Sequence, residues 1–267
     1  MVAALAALVA AAVLLRPGPP EPVSVPQTAP PAAPLTVGAG RSVALLSLGG
    51  PATDAVLSRV AAEIGPATER VERFWGTDWS REITVVATDS VAQFAAAAPG
   101  ASPDMAAVAV ADHVDLDRGV ADGQRIVLGP AADRMSAAAL RIVLTHELFH
   151  YAARAATAAE SPRWLTEGVA DHLARPAPTG PPGALPTALP ADTDFATEEP
   201  QLSRAYDHAW LFARFLAERH GEPALRRLYE RAAGPERVAA GTALREITGA
   251  GPEQLLAQWR QWLSEPR

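Results

Sequence analysis

In a chain of 267 residues that carries 25 Pro and 19 Gly, the segment Ala138–Ala159 contains neither. It is rich in Ala, the strongest helix former, and Leu140, Val143, Leu144, Glu147, Leu148 and Tyr151 recur at helical spacing. Ser136 stands ahead of it as an N-cap. The pattern predicts one long, mostly apolar helix, buried on most sides. Inside it sits His146-Glu147-Leu148-Phe149-His150. Polar side chains left without partners are costly in such a setting, so whatever surrounds this helix must satisfy the motif.

A metal ion would do so. Residues four apart on a helix share a face, about 6 Å apart along the axis, so His146 and His150 can hold one ion between them. Glu147 is turned about 100° from His146 and need not bind it. A second helix is predicted after Ser161, with Pro162 at its first position. Its face carries Glu167 and, one turn on, Asp171. Two imidazoles and one carboxylate leave a coordination position open, the pattern of a catalytic zinc. Glu147 is then free to take a proton from water, and Asp171 is placed to accept the other ring N–H of His146. Three other readings exist. The two His could be solvated or satisfied within a core. A di-iron carboxylate site needs a second E-x-x-H, which the sequence lacks. A single iron on two His and a carboxylate leaves Glu147 without a task.

With Trp164-Leu165-x-Glu167-Gly168-x-Ala170-Asp171 added, the chain resembles the gluzincin metallopeptidases, the superfamily of thermolysin and aminopeptidase N. More narrowly it is similar to the bacterial peptidase MA-like proteins. Ala205-Tyr206-x-x-Ala209-x-x-Phe212-x-x-Phe215-Leu216, then Gly221, Leu244–Gly249 and Trp259-Arg260-x-Trp262-Leu263 extend the likeness over residues 40–265. The resemblance implies a zinc peptidase with His146, His150 and Glu167 as ligands, Glu147 as the base and a peptide or protein as substrate. It departs from the family in two places. The sixteen-residue gap between His150 and Glu167 is slightly shorter than in thermolysin or the aminopeptidase N family. The G-x-M-E-N type segment that captures a substrate amine is absent, so aminopeptidase specificity is not implied. The same fold could also carry a non-catalytic, zinc-stabilised binding module, or a zinc hydrolase of a non-peptide amide in the cell envelope.

A hydrolase of this type needs a donor for the oxyanion that water attack creates. Ala205-Tyr206-Asp207-His208 offers two, Tyr206 and His208. Tyr206 shares a helix face with Ala209, Trp210 and Ala213, which points it toward the apolar body; a plain core tyrosine is the simpler alternative. His172, beside Asp171 but turned away, reads as a surface residue. His113 and His220 read as loop or helix-end residues.

Composition bounds the rest. Hydrophobic residues make up 49% and charged residues 20%, enough to bury the core of one catalytic domain. The net charge of −7 argues against nucleic acid as partner. With no Cys, disulfides, thiol nucleophiles and Cys-ligated metals are excluded. All basic side chains are Arg. Val2–Leu15 is an unbroken apolar run, read as a signal-peptide core or membrane anchor over residues 1–16. Residues 17–36, dense in Pro, read as an extended linker reaching on the order of 50 Å. Together they suggest a domain at 37–267 exported or tethered to a membrane.

Along that domain the expected class is α+β: a small N-terminal mixed sheet with helices, then a mostly helical half of zincin type. Strands are expected at Ser42–Leu48, Glu82–Thr88, Ala106–Val110 and Arg125–Leu128. Helices are expected at Thr53–Trp75, Val91–Ala98, Tyr206–Arg219, Pro223–Ala232, Val238–Ile247 and Pro252–Leu263. Gln124–Leu128 reads either as a substrate-aligning sheet edge or as an ordinary core strand. Arg175–Pro200, long and rich in Pro, Gly and Ala, reads as a cleft roof or as a disordered insertion.

Overall fold

A computed structural model describes residues 35–178 and 184–265. Five short strands form a mixed sheet: β1 Leu35–Val37, β2 Arg41–Ser47, β3 Glu82–Ala87, β4 Ala107–Val110 and, later in the chain, β7 Arg125–Leu128. Their order is β1-β2-β3-β7-β4, with β2, β3 and β7 parallel and the two edges antiparallel. Between β4 and β7, β5 His113–Asp115 and β6 Val120–Asp122 form a separate hairpin. The helices are α1 Pro51–Trp75, α2 Val91–Ala97, α3 Ala137–Ala153, α4 Arg163–Ala174, α5 Gln201–His220, α6 Glu222–Ala233, α7 Ala240–Thr248 and α8 Pro252–Ser264. The class is α+β, as the sequence implied.

The strands alternate between two apolar layers. Val85, Ala87, Ala107, Ala109, Ile126 and Leu128 join α1, α3 and the later helices in the main core. Val86, Val108, Val110 and Val127 point to the other face, where Phe94 of α2 covers them. β4 is thus buried on both faces although it is an edge. At the centre of the main core Trp75, Phe149 and Tyr229 meet edge to face, at centroid distances of 5.2–5.7 Å. This ties α1, α3 and α6 together.

Several expectations change. The sheet begins at Leu35, inside the stretch assigned to the linker, because Leu35 pairs with Val43. β7 lies between β3 and β4, so Gln124–Leu128 is not the sheet edge; β4 is. The long helix ends at Ala153 and tightens into one 3-10 turn, Arg154–Ala156. There the Ala158 N–H donates to Ala233 O and pulls the chain across to α6. Pro162 stands at the N-cap position of α4, one residue before its first helical residue, Arg163. In the segment 175–200 the described part packs back on the domain. It forms a 3-10 turn at Asp192–Phe195, buries Phe195 and caps the Trp164 N–H with Asp192.

Among the described residues no helix is long and apolar enough to cross a membrane. The expected exported or membrane-tethered location, resting on an anchor at Val2–Leu15, is therefore set aside. That segment and the Pro-rich stretch after it lie outside the described residues.

Candidate metal centre

α3 is fixed first. The Ser136 side chain caps it by accepting from the Ala139 N–H, and nearly every residue from Ala139 to Ala153 is buried. His146 and Glu147 have no exposed surface, and His150 has 5%. α4 then packs across α3 and brings in Glu167, 1% exposed. α4 must also lie close against α5. At Gly168 an added Cβ would stand 2.5 Å from the Ala209 carbonyl oxygen. The glycine after Glu167 is therefore a packing requirement: no side chain fits between the two helices.

His146 Nε2 lies 3.1 Å from His150 Nε2 and 3.3 Å from Glu167 Oε2, which is 3.8 Å from His150 Nε2. Ligands of a tetrahedral zinc, at about 2.0–2.1 Å from the ion, stand about 3.3–3.4 Å apart. The triangle fits one ion. Glu167 Oε2 makes no hydrogen bond among the described residues although it is buried, an arrangement that costs free energy unless something else meets it. The group could hold a metal ion.

The electrostatics agree. Burial opposes a charged His146, yet the Asp171 and Glu167 carboxylates outweigh it and raise the imidazole to about 10. Burial pushes the Glu167 carboxyl up, and the two imidazoles outweigh that and hold it at about 2. The site thus retains a proton where a cation would sit. His150 is shifted down, mainly by burial, which favours the neutral ring a metal requires.

The carboxylates divide the work. Asp171 Oδ1 lies 3.0 Å from His146 Nδ1, which keeps one ring proton on Nδ1 and turns Nε2 toward His150 and Glu167. Arg175 holds the second oxygen of Asp171 at 3.2 Å and stacks over Trp210. Glu147 turns the other way. Its Oε2 accepts the Ala109 N–H of β4 at 2.7 Å, while Oε1 is buried without a partner among the described residues. Burial raises the Glu147 carboxyl to about 7, against the pull of His146 and the Ala109 N–H. A carboxyl with that value at neutral pH is suited to taking and giving a proton.

Tyr206 and His208 separate. The Tyr206 hydroxyl accepts from Arg163 Nη2 at 2.7 Å, and its ring stands edge-on to Phe195. Its pKa is raised, first by burial and then by the Glu167 carboxylate, so the hydroxyl keeps its proton. His208 packs against the Trp259 ring, and its nearest charges are Asp207, Asp194 and Arg204. His172 is not a surface residue: it is mostly buried and reaches Glu222 at 3.1 Å, joining α4 to α6. His113 lies on β5 and His220 ends α5, both exposed.

Sequence reasoning missed Ala109, Arg154, Arg163 and Arg175. Only Arg154 had a signal, since His146, His150 and Arg154 follow at steps of four along one face. The others come from segments whose approach depends on the fold.

No family model matches the chain, and no curated protein or solved structure matches it.

Proposed function

We propose that the chain is a zinc-dependent metallopeptidase of gluzincin type, with the zincin arrangement of metal helix and sheet edge. The observation that carries this reading is Glu147: a buried carboxylate beside the triangle of His146, His150 and Glu167, not part of it, with one oxygen left without a hydrogen bond among the described residues and a pKa raised to about 7. A structural zinc has no use for such a group, which counts against a non-catalytic binding module.

Zinc held by His146, His150 and Glu167 would acidify a bound water and polarise the carbonyl to be attacked. Glu147 takes the water proton at Oε1 and passes it to the leaving amine. The Ala109 N–H fixes the other carboxylate oxygen and so the direction of the first. Asp171 keeps the proton of His146 on Nδ1. Tyr206, held by Arg163, donates to the carbonyl oxygen as charge develops there.

The direct test is a peptide-library digest by the zinc-loaded protein, with and without chelator and beside a Glu147→Gln control. Cleavage lost in both controls supports the reading. Chelator-resistant cleavage, or no cleavage of any peptide, counts against it; hydrolysis of a non-peptide amide by the same protein would move the substrate class.

A further inference from the structure

Arg154 lies seven residues beyond Glu147, at the start of the 3-10 turn that follows α3, and it is a poorly satisfied buried cation. Its side chain is 8% exposed. Nη2 donates to the Ala109 carbonyl at 2.6 Å, and Nε is buried with no partner among the described residues. No described carboxylate comes within 4.0 Å of it. Arg41 shows how this protein treats a guanidinium that only holds structure. It has no exposed surface, and it bonds Glu72, the Ser80 carbonyl and the Thr77 carbonyl while stacking on Trp79. Among the described residues Arg154 has one acceptor and no stacking partner.

Its place is informative. Ala109 directs both its backbone groups at α3, the N–H to Glu147 and the carbonyl to Arg154. The proton-transfer carboxylate and the unmatched cation thus flank one residue of the edge strand. Their backbones are about 10 Å apart along the chain, but both side-chain heads reach the one residue Ala109, a separation of the order that one or two residues of extended peptide span, about 3.5–7 Å. Glu147 and Glu167 together balance a divalent ion, and Arg175 pairs with both Asp171 and Asp207. With the metal bound, Arg154 is thus left with no carboxylate of its own among the described residues, and a buried unpaired cation calls for an anion.

We infer that Arg154 anchors a substrate carboxylate lying one or two residues from the bond that Glu147 acts on. The substrate class is then a peptide with an acidic group at that place, either its C-terminal carboxylate or an acidic side chain. A planar guanidinium with free N–H groups matches a carboxylate fork. The inference rests on the peptidase reading for the identity of the reacting bond, but the anchor itself is read by binding.

The experiment uses the zinc-loaded Glu147→Gln protein and calorimetric titration with three short peptides of one sequence: the free C-terminal acid, its amide, and the amide with an Asp in place of a neutral residue. One acidic peptide should bind at least about tenfold more tightly than the neutral amide, the size of a charge-assisted hydrogen bond; which one it is identifies the source of the carboxylate. Arg154→Met should remove the preference, and Arg154→Lys should restore part of it. Equal binding of all three, or binding of none, overturns the anchor without any Arg154 variant having to fold. A preference in a protein that cleaves no peptide would sink the peptidase reading and leave the anchor standing. Cleavage with no preference would do the reverse.

Discussion

Asp171 and His146 are joined at 3.0 Å across two helices, so a ring of the candidate metal site is oriented by a group on α4, the helix that also supplies Glu167. Asp171→Asn keeps the shape and loses the charge. It should weaken zinc binding or activity about 10–100-fold. Unchanged zinc affinity, read by competition with a fluorescent chelator, would make Asp171 a packing residue only.

The purified protein should bind one zinc per chain, and His146→Ala or His150→Ala should lose it. Bound metal should also raise the thermal midpoint, because it binds only the folded ligand set. Elemental analysis finding iron in place of zinc would overturn the metal assignment.

Zinc affinity should rise with pH. The metal-free protein holds a proton on His146, whose pKa is raised to about 10, and that proton must leave for Nε2 to bind. Between about pH 6.5 and 8 the association constant should therefore climb close to tenfold per unit. The sign for folding is opposite. The contribution of the raised imidazole to stability without metal is complete below its unfolded value near 6.5 and fades toward 10. A pH-independent affinity over that window would show His146 already neutral.

Glu147→Gln should retain zinc and lose about 10²–10⁴-fold in hydrolysis, since the amide preserves shape but accepts no proton. Full activity in this variant would remove Glu147 from the reaction.

Tyr206→Phe deletes one hydroxyl and should lower kcat about 10²-fold with little change in KM. Packing on Phe195 survives the change. Normal turnover beside an inactive His208→Ala would transfer the donor role to His208.

Gly168→Ala puts a methyl group against the Ala209 carbonyl. It should cost about 1–3 kcal/mol in chemical denaturation by overpacking and displace Glu167. A stability equal to that of the parent would mean that α4 can shift along α5 without penalty.

Much of this site is legible in the sequence because its information is local. The spacing of His146, Glu147 and His150 acts through the geometry of a single helix, and Glu167 and Asp171 repeat that logic on a second one. Most strands and the later helices were likewise readable from periodicity, and their ends were not. α3 stops at Ala153 because the chain is pulled to α6, and α5 starts at Gln201, before the periodic stretch that marked it. What the tertiary structure alone decided is which distant groups meet. Strand order put β4 at the edge and buried β7, so that Ala109 came to hold Glu147. Crossing of α3 with α4 closed the ligand triangle. The approach of α5 set Arg163 against Tyr206 and sent His208 toward Trp259. These contacts join residues far apart in the chain, and no period or spacing carries them. They follow from how apolar faces stack, a property of the whole packed core.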